Sequence, residues 1–129
     1  MAEKVKGYEI FFDQKSLMLR LRLWGFWDAA LGERFKVELQ KKVGEIRAKH
    51  QEWYVLGDLR EYPAQSQAVQ KSLYEAMSCL QEHGMKKAAR VVSTAISQLQ
   101  IDRLSREQGL PEYAFFRSED EAIRWLLSE

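Results

Sequence analysis

Trp53-Tyr54-Val55-Leu56-Gly57-Asp58-Leu59, followed by Arg60-Glu61-Tyr62-Pro63 and the run to Ser66, is the stretch on which the fold turns. It opens as a short apolar run rich in aromatic and β-type residues, which reads as a strand buried on both faces. The run breaks at Arg60-Glu61-Tyr62-Pro63 and restarts as a helical pattern at Ser66. A central strand that passes through a polar loop into a helix is where open α/β sheets place their binding site.

Upstream, Tyr8 to Phe12 reads as a first strand and Asp13-Gln14-Lys15-Ser16 as a turn back. The second strand alternates cleanly. Leu17, Leu19, Leu21 and Leu23 point one way, while Met18, Arg20, Arg22 and Trp24 point the other. That period of two predicts a leucine face turned toward helices and a less covered opposite face. After Gly25 a helix is predicted from Trp27 or Asp28 to His50, with the stripe Leu31, Phe35, Leu39, Val43 and Ile46. Glu38 with Lys42, and Glu45 with Lys49, are spaced as i,i+4 pairs. Gly32 and Gly44 inside this helix each cost about 1 kcal/mol relative to alanine, and close packing against a neighbour is the expected reason.

Downstream of the central strand (Glu52 to Asp58), a helix from Ser66 to His83 carries Val69, Leu73, Ala76, Met77 and Leu80 on one face, with Gly84 as its stop. Lys87 to Val92 reads as a fourth strand. Ser93-Thr94 caps a third helix, on which Ile96, Leu99 and Leu104 share a side and Ile101 stands apart, exposed. Leu110-Pro111 is a break, and Tyr113 to Phe116 a short fifth strand. Ser118-Glu119-Asp120-Glu121 is a capping box that opens a last helix burying Ala122, Ile123, Trp125 and Leu126. The expected fold is α/β in the order β-β-α-β-α-β-α-β-α, an opening hairpin followed by a mostly parallel five-stranded sheet.

Composition narrows the class. The chain has 129 residues, 46% apolar and 30% charged, which predicts one globular domain over 1–129. A net charge of +1 argues against nucleic acid as a partner. One cysteine, Cys79, excludes an internal disulfide, and Met1 to Gly7 has no signal-peptide core, so a cytoplasmic protein without a membrane span is expected.

Catalytic motifs are missing. No phosphate-binding glycine loop is present, and His50, His83 and Cys79 have no metal-site spacing, so no enzyme activity, cofactor or metal is expected. The two histidines read as dipole partners in the last turns of helices, and Cys79 as a structural thiol.

What remains is a convergence. In a parallel sheet all strand-to-helix loops lie at one end. Here those loops are Gly25 to Asp28, Asp58 to Ser66, Ser93-Thr94 and Arg117-Ser118. The candidate binding residues are therefore Asp58, Arg60, Ser66, Ser93, Thr94 and Arg117, on a rim suited to an anion, a phosphorylated side chain or an acidic partner. Asp28, Ser66, Thr94 and Ser118 also serve as plain caps. Trp24 and Trp27 read either as the rim of the core or as the wall of a pocket for a small apolar or anionic ligand. The third helix, with Ile101 exposed, offers a route to a homodimer.

The pattern resembles a STAS domain, the SpoIIAA-like fold of bacterial anti-sigma-factor antagonists. The likeness is carried by the opening hairpin, the strand ending Gly57-Asp58-Leu59 and the serine opening the next helix. Stand-alone members are similar through Arg90-Val91-Val92, Leu99 to Leu104, and Phe116-Arg117-Ser118 with Ala122 to Leu126. The resemblance implies a regulatory module that binds a protein partner, kinase-like or signalling, through the Asp58–Ser66 loop and the second helix. Phosphorylatable members carry an Asp-Ser-Ser-Gly-type motif there, which would make Ser66 the phosphorylated residue. The stretch here is Pro63-Ala64-Gln65-Ser66-Gln67, without the acidic residue or the glycine. Related folds that hold lipids imply a small-molecule or lipid site near Trp24 and Trp27 as the alternative.

Overall fold

Alternation along Met18 to Trp24 decides how the layers form, because one side of that strand is aliphatic and the other carries two arginines. The computed structural model describes residues 5–110 and 112–128. The chain runs β1 (Gly7–Asp13), β2 (Met18–Trp24), α1 (Ala29–Arg47), β3 (Trp53–Glu61), α2 (Gln67–Glu82), β4 (Met85–Val91), α3 (Ala95–Gln108), β5 (Tyr113–Phe116) and α4 (Glu119–Leu127). This is the expected order. The strands form one sheet in chain order, β1 antiparallel to β2 and every later neighbour parallel.

The two faces are covered unequally. Leu19, Leu21 and Leu23 join the stripe of α1 (Leu31, Phe35, Leu39, Val43, Ile46) and the apolar face of α2 in the larger core. On the opposite face α4 alone buries Ala122 and Leu126 against Met18, Leu56, Ala89 and Val91. Ile123 and Trp125 are half-buried there. Arg20 and Arg22 stay half-exposed beside it, and Phe11 on the edge strand is exposed.

Several expectations need correction. Leu17 is not part of the second strand: it closes the hairpin at φ +56 and is only half-buried. α1 stops at Arg47, three residues before His50, because Lys49 and His50 both donate backbone N–H groups to Ile46 O and wind the chain into a turn. Lys42 reaches Glu45 at 3.8 Å in place of either predicted i,i+4 pair. Gly32 faces α2, where an added Cβ would meet Ser72 and Val69 at 3.5 Å, so close packing accounts for it. Gly44 has no such neighbour within 4 Å.

The central strand is longer than the sequence suggests. β3 continues past Asp58 to Glu61, because β2 stays paired with it through a bulge that sets Trp24 opposite Glu61. Asp58 and Arg60 are therefore strand residues, and the loop proper is 62–66.

On α3 the polarity is reversed from expectation. Ile101 and Leu104 are buried, at 5% and 3% exposure, while Ile96 and Leu99 face outward at 70% and 64%. Ile101 therefore offers no exposed surface for self-association. Gly84 sits at φ +110, where a Cβ would stand 2.2 Å from Gln51 O, so only glycine fits this helix stop. Of the predicted Leu110-Pro111 break, Pro111 lies outside the described residues.

Candidate functional site

Parallel pairing of β2, β3, β4 and β5 places four strand-to-helix connections at one end of the sheet. Two contacts draw the second and third of them together. Ser93 Oγ donates to Arg60 O at 2.6 Å, and Ser97 Oγ donates to Tyr62 O at 2.8 Å. The start of α3 is thereby held against the end of β3. Ser66 and Ser93 share one rim.

The residue that organises this rim is Gln65, which sequence reasoning missed. It is 5% exposed. Its Oε1 accepts from Trp27 N at 2.8 Å, and its Nε2 donates to Gly25 O at 3.0 Å and Pro63 O at 2.8 Å. Its backbone N–H donates to Gln100 Oε1 at 2.8 Å, and its carbonyl accepts from Gln100 Nε2 at 3.2 Å and Gln70 Nε2 at 3.0 Å. One side chain and its peptide thus fasten the β2–α1 connection, the 62–66 loop, α2 and α3. The only hint in sequence is a glutamine between two loop-formers and a cap, a pattern without specificity.

The helix N-termini are less available than the sequence implied. Each carries its own acceptor: Asp28 Oδ1 takes Leu31 N at 2.8 Å, Ser66 Oγ takes Val69 N at 3.3 Å, Thr94 Oγ1 takes Ser97 N at 3.2 Å, and Ser118 Oγ takes Glu121 N at 3.2 Å. Such caps satisfy part of what an anion would contact.

The charged residues are occupied as well. Arg60 makes a two-point contact with Asp58, Nε to Oδ1 at 2.9 Å and Nη2 to Oδ2 at 2.8 Å. This bond holds the Asp58 carboxyl below the usual carboxylate range and raises the guanidinium. Glu119 at the start of α4 reaches Arg20 at 2.5 Å and Arg60 at 3.8 Å. Arg22 lies over the Trp24 ring at 4.8 Å and pairs with Glu61 at 2.8 Å. Arg117 is exposed at the same end. A rim so paired is a protein-like surface and a poor trap for a free anion.

Trp27 does not line a ligand pocket. It is 1% exposed, its ring is edge-packed on Phe35 and Tyr62 at 5.3 and 5.0 Å, and its Nε1 donates to Trp24 O at 3.0 Å. Trp24 borders an open groove with Tyr8, Asp28 and Arg34, its ring lying on the bare backbone of Gly7. In that groove burial and a hydrogen bond to Glu38 push the Tyr8 hydroxyl up to about 12. The space between sheet and helices lies elsewhere, under α1 and α2.

Cys79 is buried and its thiol is pushed up by desolvation. His83 Nδ1, 3.8 Å from the sulfur, donates to the carbonyl oxygen of Cys79 at 2.7 Å and so carries its proton on the side a base would need free. Among the described residues no group of three or more His, Cys, Asp or Glu side chains is placed to hold a metal. Among them no helix is long and apolar enough to cross a membrane.

Known structures share this architecture. The chain is similar to an uncharacterized protein of the DUF3478 family with a SpoIIAA-like fold from Shewanella loihica PV-4, with a TM-score of 0.69 at 19% identity over 98% of each chain. It is also similar to an anti-sigma factor antagonist from Mycobacterium paratuberculosis, with a TM-score of 0.56 at 13% identity over 95% of this chain and 96% of that one. No family model matches the chain, and no curated protein matches it. The fold is SpoIIAA-like.

Proposed function

We propose that this chain is a non-enzymatic regulatory module that docks a signalling protein on the rim formed by the Asp58–Ser66 stretch, the start of α2 and the first half of α3. One observation carries the reading. Gln65 fastens the 25–28 connection, its own 62–66 loop, α2 and α3 to one another, while Phe26 on that connection and Ile96 and Leu99 on α3 remain 59%, 70% and 64% exposed. Large apolar side chains on a pre-organised backbone are what a partner can bury without an ordering cost. The fold shared with an anti-sigma factor antagonist supports a regulatory role.

Ser66 is the natural point of control. It is half-buried at the N-terminus of α2. A phosphate on its Oγ would bring about −1.5 to −2 charges to the middle of the docking face and alter what binds there. Ser93, Thr94, Arg60 and Arg117 border the same face.

Affinity capture from the native cytoplasm tests this with three baits: the wild-type chain, the pair Ile96→Glu and Leu99→Glu, and Lys41→Glu on the outer surface of α1. A partner held by the wild type and the Lys41 variant but lost from the Ile96/Leu99 pair supports docking on the rim. Equal retention by all three removes it. Phosphosite mapping that never finds Ser66 occupied removes the switch and leaves the docking surface standing.

A further inference from the structure

β1 is an open sheet edge without the usual protection. Among the described residues it pairs with β2 alone, in unbroken register from Gly7 opposite Trp24 to Asp13 opposite Met18. Its seven residues include no proline and no lysine. Natural edge strands are blunted by such residues, by bulges or by shortness, and an edge left unblunted is a template for another strand. β5, at the far edge, has only four residues.

The backbone pairing shows which groups are free. Tyr54 N donates to Leu17 O at 2.8 Å and Gly25 N to Glu61 O at 3.0 Å, so the odd-numbered residues of β2 turn their peptide groups toward β3. Peptide groups alternate in direction along a strand. Met18, Arg20, Arg22 and Trp24 therefore turn theirs toward β1, where they meet Asp13, Phe11, Glu9 and Gly7. That leaves the N–H and C=O groups of Tyr8, Ile10 and Phe12 pointing off the sheet. Their side chains pack against the larger core, while Phe11 on the opposite face is 61% exposed.

α1 carries a matching feature. It runs along β1 in the same direction, with an open groove between the two at each end. Tyr8 shares one groove with Arg34 and Glu38, and Phe12 shares the other with Lys42 and Glu45. Arg34, Glu38 and Glu45 are exposed and Lys42 is half-buried. The charges of this flank thus read plus, minus, plus, minus from Arg34 to Glu45. Such a row is complementary to its own reverse.

We propose that β1 pairs antiparallel with β1 of a second copy of this chain, about a two-fold axis at Ile10, to make one continuous sheet. Ile10 then bonds Ile10 of the second copy, and Tyr8 and Phe12 bond each other's counterparts, so every outward peptide group of the three residues is used. The same axis sets Glu38 against Lys42 of the second copy and Arg34 against its Glu45, and symmetry makes each contact twice. An extended peptide of another protein would satisfy the strand but leave the row on α1 unmatched, which favours a second copy. Phe11 comes opposite Glu9 of the second copy, and each Glu9 keeps Arg22 at 4.0 Å. Neither Ile96 nor Leu99 takes part, so this seam does not depend on a protein docking on the rim.

Sedimentation equilibrium of the full chain, with amide hydrogen exchange followed at the same concentrations, decides the matter. A dimer is expected at hundreds of micromolar. On going from dilute to concentrated protein the amides of Tyr8, Ile10 and Phe12 should slow by about tenfold or more, while those of Glu9 and Phe11, already bonded to β2, should not change. Glu38→Lys and Lys42→Glu should each weaken association by about tenfold, since each puts like charges together at two places. An equal mixture of the two variants should form a mixed dimer of wild-type strength, because opposite charges face each other again. A chain that stays monomeric at hundreds of micromolar would overturn the dimer. A dimer whose Tyr8, Ile10 and Phe12 amides exchange freely, or whose strength neither charge variant alters, would overturn β1 as the seam.

Discussion

At the scale of single residues, polar groups set the shape of the rim. Gln65 is the sharpest case, because its amide bonds a buried peptide N–H and a carbonyl on the neighbouring 25–28 connection and a second carbonyl in its own loop. Gln65→Leu keeps the volume and removes all three bonds, leaving Trp27 N without its acceptor. We expect a loss of about 2–3 kcal/mol, read from the midpoint of urea unfolding. A shift within error would mean that water replaces the amide and that the rim is not fastened there. Asp58 gives a pH-dependent test. Arg60 depresses its carboxyl in the folded state, so as pH falls the unfolded chain takes up the proton first. The stabilisation is therefore complete above the ordinary aspartate value of about 3.9 and is lost as pH drops through the folded value. Arg60 is 44% exposed, which holds the worth of the pair to about 0.5–1 kcal/mol. Asp58→Asn should cost that much at neutral pH, and the gap to the wild type should close on acidification. A gap independent of pH would mean that the pair contributes nothing through its charge.

At the scale of elements, what could be read from the sequence followed from how local each signal is. The stripes of α1 and α2, the leucine face of β2 from Leu19 to Leu23 and the caps Asp28, Ser66, Thr94 and Ser118 are local patterns, and each stands where it was expected. The length of β3 and the burial of Ile101 were hidden because they depend on neighbours: a bulge in β2 in one case, the packing of α3 against α2 in the other. The convergence of the strand-to-helix connections on one rim was legible, while the bonding of Gln65 and the pairing of Arg60 there were not. Hydrogen-bond partners 35 to 40 residues apart leave no spacing to read. Gly44 shows the same limit from the other side. The sequence suggests that packing demands it, yet nothing stands within 4 Å of its missing Cβ. Gly44→Ala should then raise stability by about 0.5–1 kcal/mol, seen as a higher thermal midpoint. A lower midpoint would point to a constraint on α1 outside the folded contacts.

At the scale of the whole molecule, the sheet separates two cores of unequal strength. Three helices share the larger one, while nine-residue α4 holds the other against β3, β4 and β5. Charged groups also meet both of its ends. Glu119 ties the first turn to Arg20 and Arg60, and the buried Lys87 of β4 donates to the carbonyls of Trp125 and Ser128 at 3.3 and 2.9 Å. A short helix with few buried side chains is the sort of unit that opens below the global unfolding free energy. Its first turn belongs to the rim, so its opening would loosen one border of the proposed docking face without disturbing α1 or α2. Lys87→Met keeps an apolar stem of similar length and removes the ammonium, which lies 5.1 Å from the centre of the Trp125 ring and satisfies the last carbonyls. Native-state hydrogen exchange should then show the amides from Ala122 to Leu126 speeding up by about tenfold, as for a lost contact of roughly 1.4 kcal/mol. Amides in the first half of β3 should change less. Equal acceleration in β3 and α4 would mean that the two faces unfold as one unit, and the division into a firm core and a detachable helix would fall.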